Sequence, residues 1–442
     1  MGFVKSFIAV PVVFSAILWL ADAAAESKPR PPNVVLIVAD YMGASDIGPY
    51  GTTDIATPFL DAMAAKGVVF TNSYAAAPIC GPSRAALMTG QYPARIGFEE
   101  NIDGDGDERG LSEKLPTLPS LLKERGYNNG LFGKWHLGGT KKTDPIAHGF
   151  DEFLGYYPWS INYYTHRNDS GEEALMHNRS IVEREGYLTD ILTDESIRFM
   201  KENIDKPFFA YVSYNTALPP YLGPDLPPDQ WDVGFDIGDA TREDYVSMVE
   251  AMDTGIGRIL ATLDDLGISD NTLVIFTYDH NGRQLVRNAP FSGGFAMLNE
   301  GGIRVPLIMQ WPNKLPAGER LDNPVINMDV TATIVTAAGF SSESLNLDGH
   351  DLVEGRKSEE DREFFWRIKL GDFGQAAVRR DNWKLLVHKF STFSQPSVYL
   401  YDLENDPGES IDLYYKKQDF ADRLYSDLID WETSVAGSTH AK

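Results

Sequence analysis

Short, continuous apolar runs alternate with amphipathic stretches through most of this chain. "NVVLIVAD" (33–40) is apolar at successive positions, rich in β-branched residues and bounded by turn formers. Such a run is covered on both faces, which is the habit of strands in parallel sheets. "TPFLDAMAAKG" follows and predicts a short helix, with Thr57 as N-cap, Pro58 at the first helical position and Gly67 as the stop. "LPSLLKERGY" repeats that logic before an apolar segment ending at Phe132. A helix over about 188–203 precedes the strand "PFFAYVSY", and one over about 242–266 precedes "TLVIFTYD". "RVPLIMQWP" is another buried strand, and Asp329 to Ala338 another helix. Repeated strand–helix units predict an α/β domain with helices on both faces of a largely parallel sheet.

The pattern changes after about Gly349. "REFFWRIKL", "FGQAAVRRDNWKLLVHK" and "SVYLYDL" are shorter, more alternating and closely spaced, and a last helix spans about 420–434. This predicts a small antiparallel sheet packed by one helix. The organisation expected is a main domain over 30–345 and a C-terminal subdomain over 350–442.

The first 25 residues carry a different signal. Lys5 precedes an apolar run from Phe7 to Leu20, and Ala21-Asp22-Ala23 or Ala23-Ala24-Ala25 offers a small-residue cleavage site. This reads as a cleaved export signal, since the run is short for a membrane anchor and ends in small residues. A secreted or periplasmic protein is expected, with no membrane association after cleavage. Hydrophobic content of 43% and charged content of 23% are those of an ordinary globular protein. The net charge of −25 argues against nucleic acid as a partner. Cys80 is the single cysteine, so no intramolecular disulfide exists. It is either a buried, inert thiol or a chemically used one.

Candidate chemistry gathers at predicted strand ends, where open α/β sheets bind ligands. Asp40 ends the first strand and Asp279-His280 end "TLVIFTYDH", so both could converge on one metal or each Asp could merely cap a turn. Oxygen-rich ligation favours a hard ion such as calcium, and the histidine adds ambiguity. In "PICGPSRAALMTG", Pro82 suits the first helical position and Ser83 the first turn, placing Cys80 at a helix N-terminus that favours anions. Arg84 offers a bidentate clamp for a tetrahedral oxyanion. "GKWHLG" brings Lys134 and His136 together, on one face only if the segment is extended. The aromatic run from Tyr156 to His166 suits sugar stacking or, more commonly, core packing.

Cys80-Gly81-Pro82-Ser83-Arg84 followed by "AALMTG" resembles the signature of type I sulfatases, in which this cysteine is oxidised to formylglycine. "GKWHLG", "HGFDEFLG", "EGGIRVP" and "LYDLENDPGE" resemble further segments of that family, in the same order. The resemblance implies an alkaline-phosphatase-like three-layer α/β sandwich. It implies a sulfuric ester hydrolase in which one hydroxyl of the hydrated aldehyde attacks sulfur and the second expels sulfate. By matching position, Cys80, Arg84, Lys134 and His136 would be catalytic, and Asp40, Asp279 and His280, with the group at Cys80, would hold Ca2+. The implied partners are a sulfated small molecule or carbohydrate and a formylglycine-generating or anaerobic maturation enzyme.

Three positions depart from the family pattern. Tyr41 follows Asp40 where a second aspartate is usual, Leu218 replaces a histidine, and Phe295 replaces a lysine. Two readings follow: a sulfatase with an altered pocket, or a catalytically impaired relative that binds sulfated glycan. A phosphatase of the same superfamily is a third, weaker because those enzymes generally use Ser or Thr and two metal ions.

Overall fold

The structure, a computed structural model, describes residues 1–3, 30–102, 109–341, 344–355, 362–392 and 394–436. Met1–Arg30 separates as a unit of its own, and the export-signal expectation over 1–25 lies almost wholly outside the described residues. Pro31–Lys442 is one compact unit.

The centre of that unit is β1 (Asn33–Ala39), whose every residue is buried. Val35, Ile37 and Ala39 feed one apolar core, and Val34, Leu36 and Val38 feed another on the opposite face. That division is what the unbroken apolar run encodes. Around it lie β2 (Val68–Phe70), β3 (Asn128–Lys134), β4 (Glu152–Tyr156), β5 (Phe208–Ser213), β6 (Thr272–Tyr278) and β7 (Leu307–Gln310). Among the described residues the sheet has ten strands, in the order Glu319–Leu321, β2, β7, β6, β1, β5, β3, β4, Met176–His177, Ser180–Ile181. β1 is parallel to both β5 and β6, while β7 runs antiparallel to β6 and β2. Sequence pattern does not separate those cases, because a strand buried on both faces reads the same in either direction.

Helices cover both faces. α1 (Pro58–Lys66), α3 (Leu188–Glu202) and α4 (Arg242–Asp265) pack into the first core; α2 (Cys80–Thr89) and α5 (Asn327–Ala337) pack into the second. Thr57 precedes α1, but its hydroxyl accepts from the Gly48 N–H instead of capping the helix. Asp253 of α4 accepts from the N–H groups of Phe59 and Leu60, so a neighbouring helix supplies the cap.

The C-terminal strands β8 (Glu363–Leu370), β9 (Phe373–Arg380), β10 (Trp383–Phe390) and β11 (Ser397–Asp402) form a separate antiparallel sheet. α6 (Gln418–Ala436) packs on it, burying Leu424, Leu428 and Val435 in a third core that also takes Ile79 and Ala86 from α2 and its approach. The large parallel-rich sheet between two helix layers, with a small antiparallel sheet beside it, is the architecture expected. Among the described residues no helix is long and apolar enough to cross a membrane.

Candidate active site

The carboxyl ends of β1, β3, β5 and β6 converge on the N-terminus of α2. α2 begins at Cys80, with Ile79 as an extended N-cap, so Pro82 sits inside the first turn instead of opening it. The Gly81 N–H donates to Asn101 Oδ1 at 2.8 Å. Cys80 Sγ lies 3.0 Å from His280 Nε2 and 3.9 Å from Asp40 Oδ1. His280 Nδ1 donates to the Asn281 carbonyl at 3.0 Å, which turns Nε2 toward the thiol. Asp40, Cys80, Asp279 and His280 are all buried, and one ligand atom from each lies within 4.8 Å of every other.

Arg84 ties this cluster together. Its Nε donates to Asp279 Oδ2 at 2.8 Å and its Nη2 to Asp40 Oδ2 at 2.9 Å. Nη1 donates to Ser213 Oγ at 2.6 Å and to the Lys134 carbonyl at 3.2 Å. Every guanidinium nitrogen therefore has a protein acceptor. Arg84 braces two carboxylates, its side chain buried between the ends of β1 and β6. Ser213, Tyr211 and Asn101 carry no mark in the sequence that singles them out. Arg84 Nη1 also donates to Tyr211 Oη at 3.3 Å, so Ser213 and Tyr211 join the site through Arg84 and Asn101 through α2, by tertiary placement alone.

Lys134 Nζ donates to Asp40 Oδ2 at 2.5 Å. Burial alone would raise the Asp40 pKa, but the charges of Lys134, Arg84 and His280 outweigh it and hold the carboxyl well below its usual range. Burial would also depress His280, yet Asp279, Cys80 and Asp40 push its imidazole up to about 10. Asp279 moves the other way from Asp40: burial and the Asp40 charge raise it.

His136 stands apart from the carboxylates. Its Nε2–H donates to the Ile102 carbonyl at 3.2 Å, and Nδ1 is buried without a partner. Burial, then the charges of Lys134 and Arg84, hold its pKa well below the ordinary value, so the ring is neutral and presents a lone pair. Lys134 and His136 thus do different things, because His136 follows the strand end in a left-handed conformation, φ 56°.

Tyr156 ends β4 in register with Lys134 on β3. It is fully buried, its hydroxyl has no partner, and the charges of Asp40, Arg84 and Cys80 bear on it. Tyr157, Tyr163 and Tyr164 of the same aromatic run are buried in the cores, while Trp159 is half-buried, donates to Asp169 Oδ2 at 3.0 Å and stands edge-on to Phe235.

The three departing residues also gather here. The Tyr41 ring stands edge-on to His280 at 6.1 Å and tilted to Phe295 at 5.3 Å; Phe295 lies 5.2 Å from the imidazole. Burial raises the Tyr41 pKa further, keeping the phenol neutral. The segment carrying Leu218 is held at the same strand end: Asp40 N–H donates to Thr216 O and Ala217 N–H to Asp40 O. Leu218 is itself buried.

The donor chemistry fits a divalent cation. Arg84 and Lys134 occupy the Oδ2 atoms of the two aspartates; Asp40 Oδ1 and His280 Nε2 face Cys80, and Asp279 Oδ1, which accepts the His280 N–H at 2.9 Å, lies beside them.

A three-layer α/β sandwich with a buried cysteine at a helix N-terminus, facing carboxylates at the strand ends, is an alkaline-phosphatase-like architecture. The chain belongs to the sulfatase family: the family model described as "Sulfatase" matches residues 32–340. A second model, "N-sulphoglucosamine sulphohydrolase, C-terminal", matches 295–432. The chain is 32% identical to the N-acetylgalactosamine-6-sulfatase of Sus scrofa, over 92% of this chain and 86% of that protein. It is 30% identical to the steryl-sulfatase of Homo sapiens, over 81% and 75% of the two chains. The solved structure of Ps i-CgsB in complex with k-i-k-neocarrahexaose superposes with a TM-score of 0.82 at 32% identity, over 91% of this chain and 93% of the other. The protein is a sulfuric ester hydrolase.

Proposed function

We propose that this sulfatase hydrolyses a sulfate ester on an exported or extracellular carbohydrate, with Cys80 converted to formylglycine by a maturation enzyme and Ca2+ held at Asp40, Asp279 and His280. The observation that carries this reading is Cys80 itself, at the start of α2 and 3.0 Å from His280 Nε2, inside a braced carboxylate cluster. A carbohydrate substrate is supported by the names of an N-acetylgalactosamine sulfatase and a neocarrahexaose-bound protein among the similar chains. Export rests on the leader-like first 25 residues.

Formylglycine supplies a geminal hydroxyl to attack sulfur, and calcium supplies positive charge to the sulfuryl oxygens. The remaining work falls to side chains of the fold. Arg84 orients Asp40 and Asp279 and offsets their charge, so both Oδ1 atoms stay aimed at the metal position. Lys134 holds Asp40 Oδ2 and contributes positive charge to the cluster. Neutral His136 accepts a proton-bearing oxygen at Nδ1. Tyr156 donates its unpartnered hydroxyl to an oxygen of the bound sulfate. Leu218 and Phe295 supply neither a proton for the leaving alcohol nor a cation for the sulfate, so turnover is slow relative to a pocket that has both.

Mass analysis of the Cys80 peptide, after expression with a maturation enzyme, tests the reading together with sulfate release from aryl and carbohydrate sulfates. Aldehyde at position 80 with calcium-dependent release is expected. Aldehyde with no release across a broad sulfated-glycan panel would favour the impaired, glycan-binding reading. Release that survives Cys80→Ala would remove the nucleophile from the mechanism.

A further inference from the structure

We propose that while Cys80 is still a thiol, the cluster of Asp40, Cys80, Asp279 and His280 binds a zinc-class divalent ion in preference to calcium, and that conversion of Cys80 reverses the preference. This deepens the metal-centre reading above and rests on it.

The number and kind of donors favour a small ion. Calcium takes about six to eight oxygen ligands, whereas zinc is satisfied by four donors drawn from S, N and O. The cluster presents one sulfur, one imidazole nitrogen and two carboxylates. Each carboxylate has only Oδ1 to give, because Arg84 holds Asp279 Oδ2 at 2.8 Å, and Arg84 and Lys134 hold Asp40 Oδ2 at 2.9 and 2.5 Å. Bidentate ligation, which calcium commonly uses to reach high coordination, is therefore closed at both aspartates. Tyr41 closes a further route. Its ring is packed edge-on to His280 and against Phe295, at a position next to Asp40 where an acidic side chain would add oxygen.

Spacing favours it as well. A tetrahedral ion with bonds of about 2.0 Å to N and O and about 2.3 Å to sulfur sets its donors about 3.3–3.5 Å apart. The distances here bracket that range: Sγ to Nε2 is 3.0 Å, and Nε2 to the Oδ1 atoms of Asp40 and Asp279 is 3.7 and 3.8 Å. Sγ to Asp40 Oδ1 is 3.9 Å. Small shifts close the shell on a small ion. Ring orientation does too. His280 Nδ1 is committed to the Asn281 carbonyl, which is the outer hydrogen bond that fixes a ligating imidazole with Nε2 toward the metal.

On binding, the Cys80 thiol and the His280 Nε2–H both lose their protons to solvent, and the thiolate takes the fourth position. A maturation enzyme that oxidises Cys80 to the aldehyde with a two-electron oxidant such as dioxygen releases the sulfur as sulfide and so removes the cluster's sulfur donor, and the hydrated aldehyde offers oxygen. The donor set then becomes oxygen-rich and the soft-metal preference is lost.

Cobalt(II) is the probe. Added to the full chain made without a maturation enzyme, it is expected to give intense tetrahedral absorption and a thiolate-to-metal charge-transfer band at one equivalent, with proton release. Zinc should displace it, and calcium in about hundredfold excess should not. The band should vanish in Cys80→Ser and in the aldehyde form. Tyr41→Asp, which keeps all four donors, should retain the band and bind calcium at least about tenfold more tightly. Zinc should raise the unfolding temperature of the thiol form and not of Cys80→Ser. The inference is overturned by a missing charge-transfer band, by weak octahedral absorption, or by displacement of cobalt by equimolar calcium. A matured chain that releases sulfate while the thiol form gives no band overturns this inference alone. A band with no sulfate release from the matured chain upholds it and overturns the hydrolase reading instead.

Discussion

Two buried ion clusters in this protein look alike by composition and differ in what they leave open. One is the site at Cys80. The other joins the EGGI turn to the C-terminal sheet: Lys384 Nζ lies 2.9 Å from both Glu300 Oε1 and Glu409 Oε1. Glu300 Oε2 accepts from Tyr74 Oη at 2.6 Å and from Arg304. Glu409 Oε2 accepts from the Glu300 N–H at 2.7 Å and from Ser292 Oγ at 3.0 Å. Three of those four carboxylate oxygens accept hydrogen bonds within the fold, and the fourth, Glu409 Oε1, is paired with the Lys384 charge. At Cys80, by contrast, the thiol, His280 Nε2 and Asp40 Oδ1 face one another, Asp279 Oδ1 accepts the neighbouring His280 N–H, and among the described residues His136 Nδ1 and the Tyr156 hydroxyl have no partner. A closed network holds chain segments together, while one whose outward atoms lack fixed partners is built for a ligand. The closed cluster serves the open one, since Glu409 anchors both ends of the 292–300 loop that carries Phe295 against His280.

That contrast can be broken at either end. Cys80→Ala should lower sulfate release by at least about 10³-fold with little change in stability, measured by turnover and chemical denaturation in parallel. Lys384→Met should do the reverse. It strands Glu300 and Glu409 without their cation and should cost about 3–5 kcal/mol of unfolding free energy, with activity falling only as the fold is lost. Restoring Phe295→Lys and Leu218→His together should raise the rate by up to about 10²-fold, read as kcat on a soluble aryl sulfate. No gain would mean that the aromatic wall has reshaped the pocket beyond the family geometry.

Tyr156→Phe sharpens the comparison, because a merely structural tyrosine and a ligand-facing one respond differently. Its hydroxyl has no partner in the fold, so removing it should leave stability unchanged or raise it by about 1 kcal/mol while kcat falls about tenfold. Unchanged kcat would place the hydroxyl outside the reaction. The smallest effect is on acid stability. Burial alone would raise Glu300, but Lys384, Arg304 and Arg379 outweigh it and hold its pKa at about 2, below the ordinary 4.5. The stabilisation is complete above that ordinary value and is lost as pH falls toward 2. Glu300→Gln should flatten this part of the acid-unfolding curve.

Much of this was legible in the chain because it is local. The unbroken apolar run of β1 specifies a strand covered on both faces, and α3, α4, α5 and α6 lie within a few residues of where periodicity places them. The change of period after Gly349 marks the antiparallel sheet. Cys80, Asp40, Asp279 and His280 could be nominated because strand ends and helix starts are visible as patterns.

What only the tertiary structure decided is how those ends meet. Arg84 reads as a free fork for an anion, yet its acceptors come from β1, β3, β5 and β6, brought together by sheet order. Thr57 reads as a cap, yet a helix nearly two hundred residues away supplies one. Tyr156 reads as part of an aromatic run, and the register of β4 with β3 sets it beside Lys134. The direction of β7 is likewise a property of the sheet. Hydrophobic period is written residue by residue, so the chain determines its own elements and the residue types at their ends. Hydrogen-bond satisfaction and charge balance depend on neighbours distant in sequence, and those exist only once the sheet has closed.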